Sequence, residues 1–165
     1  MANYAPPQGI VAVRIAGGFD IPIAHGIESA SQTYTAGAPL VQSSGKLVVV
    51  TSPVDASHPT VGFSVAAATG TTDHDAPYVE AIAGMLFSGY LLATSGSNST
   101  DTHTLAQTDV GTTHAIAVDA GGKWYVDYSD TSDHAAYIVS LLDAIGTVGR
   151  VLFRVVSAAT PYQSS

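Results

Sequence analysis

The chain contains no cysteine and few charged residues. Among its 165 residues, five are Lys or Arg and thirteen are Asp or Glu, so that charged residues make up only 11%. The absence of cysteine excludes disulfides, thiolate nucleophiles and cysteine-based zinc or iron–sulfur sites. Stability must therefore come from packing or from partners.

Basic residues are especially scarce, and they are scattered: Arg14, Lys46, Lys123, Arg150 and Arg154. Proteins bind nucleic acid and anionic membrane surfaces through dense patches of Lys and Arg. With a net charge of −8 and scattered basic residues, we expect neither nucleic acid nor a membrane as a partner. A surface so poor in charge favours extensive coverage by other protein. An alternative explanation of the negative sign is that it keeps a small protein soluble.

Long apolar runs are also missing. No segment approaches the roughly 18 apolar residues that cross a bilayer. The first residues, "MANYAPPQGIVAVRIAGG", lack the basic start and continuous apolar core of a secretory signal, because Arg14 interrupts the apolar stretch and two prolines precede it. We expect a soluble protein that is not exported.

Period-2 alternation recurs along the chain, and helical periodicity is rare. The segment "IVAVRIAGG" at 10–18 predicts a strand or a paired arm, and short apolar runs separated by turns such as "SSGK" and "AGGK" follow. The pattern predicts an all-β fold with a small β-barrel or sandwich-like core, and an extended N-terminal arm. We expect four parts: an arm at 1–31, a first β-subdomain at 32–95, a polar loop at 96–107, and a second β-subdomain at 108–165 packed on the first.

One segment leaves strand and helix both open. "AAYIVSLLDAIG", at 135–146, has apolar residues at helical spacing, with Ser132 as a candidate cap and Gly146 past the end of a candidate helix in 132–145. Its β-branched residues and its strand-like neighbours favour the sheet.

The stretch "GGKWYVDYSDTSDH" contains candidate residues for binding a sugar or a cation. Trp124 and Tyr125 follow a glycine pair, as in the second strand of a hairpin. This position favours packing in the core, although with Tyr128 they could form a sugar-binding platform.

The acidic residues of the same stretch lack the order of a calcium loop; they are Asp127, Asp130 and Asp133, followed by His134. We expect these aspartates to cap a turn through their own backbone.

Other candidate ligands and catalytic residues are sparse. Asp73, His74 and Asp75 are consecutive, and a tripeptide cannot ordinarily turn three side chains onto one ion. The six histidines are scattered, only Glu28 and Glu80 are glutamates, and no nucleophile elbow, phosphate loop, zincin or dinucleotide motif occurs. We therefore expect no enzymatic activity, no cofactor and no metal site. A hydrolase would need a carboxylate or histidine pair that converges in space.

The two halves of the chain resemble a known family. "QTYTAGAPLVQSSGKLVVV", followed by "SPVDASHPTVGFSVAAATGTTDHDAPYVEAIAGMLFSGYL", is similar to the head decoration or cement proteins of tailed bacteriophages, through its AG-P-V segment, its VGF strand and its glycine-containing last strand. In "AIAGMLF", alanine stands where that family commonly has proline. The C-terminal stretch "GGKWYVDYSDTSDHAAYIVSLLDAIGTVGRVLFRV" is similar to the second part of such proteins, so that the resemblance covers 32–95 and about 108–156.

The resemblance implies a structural virion protein on the outer surface of a phage head, made in the host cytoplasm, that binds the major capsid protein and stabilises contacts between its subunits. It also implies self-association, with a homotrimer preferred and a dimer as the alternative. The arm would contact the capsid, and the candidate partner-binding residues are Ile10, Val11, Val13, Arg14, Ile15 and Phe19. The alternatives are a tail-tube or head-completion protein, and a carbohydrate-binding β-sandwich module.

Overall fold

The structure is a computed structural model of the chain. It describes residues 9–15, 21–50, 54, 60–82, 84–94 and 100–156, apart from the side chains at 14, 15, 94, 100 and 101. Within these ranges the chain is all-β, as the sequence predicts, with twelve strands and one short 3₁₀ turn at Gln107–Asp109. Among the described residues, no helix has the length and apolar character of a membrane crossing.

The strands follow one another as short segments. They are β1 (Val11–Ile15), β2 (Ile23–Ile27), β3 (Pro39–Ser43), β4 (Lys46–Val49), β5 (Gly62–Ser64), β6 (Asp75–Glu80), β7 (Met85–Thr94), β8 (Thr100–Thr102), β9 (Thr113–Val118), β10 (Trp124–Asp127), β11 (Ala136–Leu141) and β12 (Arg150–Val155).

The first sheet is a closed barrel. Its order is β2-β6-β5-β3-β4, with antiparallel neighbours throughout. A parallel bridge between Glu28 and Leu47 joins its first and last strands. In a closed ring of five strands, neighbouring strands cannot be antiparallel at every contact, so one contact must be parallel. The bridge between Glu28 and Leu47 is that parallel contact.

The second sheet also returns on itself. Strand β7 pairs with β12 on one side and with β10 on the other, and β9 and β11 complete the ring β7-β10-β9-β11-β12. The β7–β10 pair is parallel, as a five-membered ring requires. Strands β1 and β8 attach to β7 outside this ring.

The turns carry the residues that their geometry demands. Ser44 and Gly45 both have positive φ, which gives the two-residue turn that matches the twist of the β3–β4 hairpin. At the β9–β10 turn, the Asp119 carboxylate accepts hydrogen bonds from the backbone N–H groups of Gly121 and Lys123, both at 2.8 Å. Both turns were predicted from the sequence, and both are confirmed.

The two barrels share one apolar core. Phe63 of β5 lies with its ring centroid 4.6 Å from that of Phe87 in β7 and 6.4 Å from that of Phe153 in β12. All three side chains are buried, and they belong to a single cluster of buried residues from both sheets. Tilted and edge-on aromatic contacts of this kind add to the stability gained from burial alone.

The sheets divide the chain differently from the predicted ranges. Strands β1 and β2 lie within the predicted arm 1–31, yet each pairs with another strand of this chain. Strand β7 lies within the predicted first subdomain but belongs to the second sheet, where it pairs with both β10 and β12. Its side chains are apolar on both faces, which suits a strand with neighbours on both sides. The short strand β8 lies within the predicted polar loop 96–107.

The ambiguous segment 132–145 forms a strand, as its β-branched residues favour. Strand β11 pairs with β12 and with β9, and it shifts register between Ile138 and Ser140. The chain then turns, and the Asp143 carboxylate accepts hydrogen bonds from the backbone and the guanidinium of Arg150 at the start of β12.

Candidate functional site

Strand β1 carries most of the predicted partner-binding residues, and it lies at an edge. It pairs with β7 from Val11 opposite Ser88 to Ile15 opposite Met85, with a register shift between Ala12 and Arg14. No other described strand pairs with its second edge. Such an edge presents backbone N–H and C=O groups that a further strand can satisfy.

The six predicted residues differ in placement. Val11 and Val13 expose 55% and 45% of their surface, whereas Ile10 is 3% exposed and belongs to the core. The side chains of Arg14 and Ile15 and the whole of Phe19 lie outside the described residues. Ile10 therefore anchors the strand in the core, and the two exposed valines are available for contact with a partner.

The anchor depends on a close backbone approach. A Cβ on Gly37 would lie 2.4 Å from the carbonyl oxygen of Ile10, and one on Gly9 would lie 2.6 Å from that of Ala36. Gly37 also has a φ of +85°, which favours glycine. These glycines allow residues 9 and 10 to pack directly on the first barrel.

Replacement of Ile10 by alanine should therefore lower the free energy of unfolding by about 2 kcal/mol, because it leaves a cavity in the core. Val11→Ala is the matched control, and we expect a change within about 0.5 kcal/mol because Val11 is exposed. Urea unfolding of both variants is the measurement. Equal, small effects would instead mean that residue 10 contributes no core packing.

An apolar groove, here called the β1 groove, opens beside this strand and has a volume of about 680 Å³. The buried side chains of Ile10, Phe63 and Val79 form its floor. Concave apolar sites of this size commonly bind small molecules or peptide side chains. The groove therefore adds a concave apolar surface beside β1 as a candidate binding site.

The rim of the β1 groove consists of apolar side chains and one lysine. Val11, Ile23 and Val65 line it and are 55%, 53% and 44% exposed. Lys123, at the start of β10, also lines the groove. An exposed apolar rim around a concave floor is typical of interaction sites.

The other described basic side chains are engaged within the chain. The Lys46 ammonium lies 2.7 Å from the Asp73 carboxylate, the Arg150 guanidinium lies 3.0 Å from that of Asp143, and the Arg154 guanidinium lies 4.6 Å from the centre of the Tyr137 ring. The Arg150 hydrogen bonds and charge hold the pKa of Asp143 below its usual value. Of the described basic side chains, Lys123 alone has no acidic or aromatic partner among described residues.

A second apolar surface lies around the end of β11. Val139, Leu142 and Ile145 are 37%, 42% and 61% exposed, and we name them the β11 patch. Val139 and Ile145 line a shallow depression of about 380 Å³. The exposed valine on β11 agrees with the sequence pattern, in which this strand is apolar on both faces.

The aromatic platform that the sequence left open is largely buried. Trp124 and Tyr125 are 3% and 2% exposed, so they pack in the interior, as the packing interpretation predicts. Tyr128 is 39% exposed, but its ring stacks on His103 with centroids 3.6 Å apart. Two of the three rings are therefore inaccessible to a sugar.

Two of the predicted aspartates, Asp127 at the end of β10 and Asp130 after it, cap turns as predicted. The Asp127 carboxylate accepts a hydrogen bond from the Ser129 backbone N–H, and the Asp130 carboxylate accepts from the backbone N–H groups of Ser132 and Asp133. Burial raises the pKa of Asp130, but these hydrogen bonds and one from the Ser132 hydroxyl outweigh it, so that the net shift is downward.

The consecutive residues 73–75 do not converge on one point. Asp73 pairs with Lys46, and Asp75 lies 2.7 Å from the His25 ring. Within the described part of the chain, no group of three or more His, Asp or Glu side chains has the arrangement of a metal site.

A buried polar cluster near the 3₁₀ turn has no signal in the sequence. Asp109 is 3% exposed, and its carboxylate lies 3.0 Å from His103 Nε2 and accepts a hydrogen bond from the Ala106 backbone. The Thr112 hydroxyl donates to the Asp109 carbonyl and accepts from His114 Nε2, which fixes the proton of neutral His114 on that nitrogen. These residues share no motif spacing, and only the fold brings them together.

His114 should make stability depend on pH. Its ring is 2% exposed, and Nδ1 has no hydrogen-bond partner among the described residues. Burial lowers the pKa of His114 from the ordinary 6.5, and the charge of His103 adds to this effect, whereas the charges of Asp109 and Asp127 and the backbone of Asp130 oppose it. The unfolded chain therefore binds a proton before the folded chain does, and stability falls as pH drops below 6.5.

Unfolding by urea at several pH values between 7 and 5 is the measurement. A His114→Gln variant should have a shallower pH dependence over this range, and His134→Gln, which alters an exposed histidine, should keep the wild-type slope. A slope that is unchanged in His114→Gln would refute the assignment.

No family model matches the chain, and no curated protein matches it. The β1 edge, the β1 groove and the β11 patch are thus the features on which a functional proposal must rest.

Proposed function

We propose that this chain is a structural virion protein that decorates the outer surface of a phage head. It binds the major capsid protein and stabilises contacts between capsid subunits. The observation that carries the proposal is the apolar edge strand β1 with the β1 groove beside it, on an acidic all-β scaffold. The resemblance of the sequence to head decoration proteins agrees with it.

The charge of the chain supports an outer rather than an inner position. The net charge is −8, and three of the five basic side chains are engaged with Asp73, Asp143 or Tyr137. Little positive charge is left to bind the phosphate backbone of packaged DNA, and the acidic surface repels it. The same balance disfavours an anionic membrane as a partner.

The role that we propose is mechanical. A decoration protein gains affinity by burying apolar surface against its partner, and about 25 cal/mol is gained per Å² of apolar area removed from water. The exposed valines of β1 and the rim of the β1 groove provide such area. No step in this role requires a cofactor or a catalytic group.

Intact heads, purified from a lysate of the phage that makes this chain, provide the test. We expect mass spectrometry to find the chain in a fixed ratio to the major capsid protein, and an antibody against the chain to label unbroken heads. Recovery with purified tails would favour the tail-tube alternative. Recovery only in the soluble fraction would contradict both.

We also propose that the free protein self-associates, with a trimer preferred and a dimer as the alternative. The β11 patch supports this, because a second copy can cover Val139, Leu142 and Ile145 and remove them from water. Closed symmetry limits the growth of such an assembly.

Sedimentation equilibrium at micromolar concentration tests self-association. We expect a mass of three chains, and Ile145→Ser should shift the equilibrium toward the single chain by about tenfold, whereas Ser43→Ala in the remote β3–β4 hairpin should not. A monomer for the wild-type protein would contradict the proposal.

A further inference from the structure

We propose that the β1 groove receives an extended apolar segment of the partner, which adds a strand to the outer edge of β1 and places a carboxylate against Lys123. The identity of the partner as the major capsid protein rests on the proposed function. The site itself rests on four features of the described residues: the strand edge, the apolar floor and rim, the lysine, and the scarcity of positive charge elsewhere.

The strand edge provides the backbone contacts. One edge of β1 pairs with β7 between Val11 and Ile15, and none of the described strands pairs with the other. An incoming strand would satisfy these N–H and C=O groups, and it would do so whatever its sequence. The register shift between Ala12 and Arg14 marks an irregularity of the β1–β7 pairing, of the kind that bends an edge strand.

The groove provides the preference for apolar side chains. Successive side chains of a strand point to opposite faces, so every second residue of the incoming segment would face the groove. The floor residues Ile10, Phe63 and Val79 are buried in the free chain, and the rim residues add exposed apolar surface. A volume of about 680 Å³ accommodates several aliphatic side chains.

Lys123 provides the preference for a carboxylate. Its backbone is fixed, because its N–H donates to the Asp119 carboxylate and its carbonyl accepts from the Asp119 N–H. Lys123 therefore lines the groove from an ordered backbone position. Because the net charge of the chain is −8, an acidic segment is repelled by most of the surface and is favoured near this lysine.

Two blocked peptides test the site without any phage component. Each is a seven-residue peptide of alternating valine and threonine with one central residue changed to Asp or to Asn, and each carries a fluorescent label for anisotropy. We expect the wild-type chain to bind the Asp peptide about tenfold more tightly than the Asn peptide. Lys123→Gln should abolish this preference, Lys123→Arg should restore it, and Lys46→Gln should leave it unchanged.

Two outcomes of this experiment would overturn the inference. One is that neither peptide binds at the highest soluble concentration. The other is that the preference for Asp survives in Lys123→Gln. Circular dichroism of every variant checks that its fold is intact, since Lys123 is partly exposed and its replacement leaves the core unaltered.

Chemical protection on the assembled head tests the partner. Because the chain has no cysteine, Val65→Cys on the rim of the β1 groove and Ser43→Cys in the exposed β3–β4 hairpin each give a single thiol. We expect attachment to purified heads that lack this protein to slow maleimide labelling at residue 65 by tenfold or more, and labelling at residue 43 by much less.

The outcomes separate the inference from the proposed function. Protection at residue 43 alone, or at neither residue in chains that do attach, would overturn the groove and leave head attachment standing. Protection of residue 65 by the chain's own oligomer before heads are added would show that a second copy fills the groove, and would overturn the assignment to the capsid. Failure to attach to heads would contradict the proposed function, whereas the peptide results would still decide the groove.

Discussion

Replacement of Glu28 by alanine should lower the free energy of unfolding by about 3 kcal/mol, and Tm by roughly 10 °C. Glu28 is 1% exposed, and its carboxylate accepts hydrogen bonds from the Tyr34 hydroxyl, the Thr69 backbone and hydroxyl, and the Gly70 backbone at 2.8 Å. Removal of the carboxylate leaves these donors unsatisfied, next to the parallel bridge with Leu47 that closes the first barrel.

The only other glutamate provides the control for this substitution. Glu80 lies at the end of β6 and is half-buried, and Glu80→Ala should change the free energy of unfolding by less than about 0.5 kcal/mol. Thermal and urea unfolding of both variants measure the difference. Equal effects would mean that the carboxylate of Glu28 does not stabilise the barrel closure.

Tyr34 provides a second signature of the same interaction. Burial, followed by the negative charge of Glu28 and the hydrogen bond to it, raises the pKa of Tyr34 to about 12. The unfolded chain then loses this proton before the folded chain does, so the stabilising contribution is present below pH 10 and is lost as pH rises toward 12. A Glu28→Gln variant should shift the Tyr34 titration, followed by ultraviolet absorbance, toward 10.

Replacement of Phe87 by alanine should cost about 4 kcal/mol, because it removes the ring that contacts aromatic partners from both barrels. Phe87 is fully buried, and its ring centroid lies 4.6 Å from that of Phe63 and 6.0 Å from that of Phe153. The two barrels meet at this point, so we expect the wild type to unfold in a single transition.

Val139→Ala is the matched control for Phe87→Ala, because Val139 lies in a strand of the second sheet but is 37% exposed. We expect it to change the free energy of unfolding by less than about 1 kcal/mol. Calorimetry of both variants and of the wild type makes the comparison. Two separate transitions in the wild type, with only one of them shifted by Phe87→Ala, would contradict a shared core.

Local sequence patterns predict the elements of this fold better than their pairing. Alternation identifies β1, and the turn residues Ser44 and Gly45 identify a hairpin, because these signals depend on neighbouring residues. The bridge that closes the first barrel joins Glu28 to Leu47, and the Glu28 carboxylate accepts a hydrogen bond from the backbone of Thr69, far along the chain. No local pattern specifies such a pairing.

The N-terminal segment illustrates the same limit. Two prolines and a glycine pair around one short apolar run favour an arm with little core of its own. The described strand β1 instead pairs with β7, and Ile10 enters the core because Gly9 and Gly37 allow the backbones to approach. The sequence predicts the exposed valines of β1 as candidate contacts, but the groove depends on β5 and β6, which alternation cannot place beside β1.

The central claim is the proposed attachment to a phage head, and electron cryomicroscopy of intact heads from the phage that the proposal takes as the source of this chain tests it most directly. We expect density for the two fused barrels on the outer surface of the capsid, with β1 and the β1 groove facing the major capsid protein and a strand of that protein beside β1. Density for the chain only in the tail, only inside the head, or attached through the β11 patch with the β1 groove open to solvent would contradict the account.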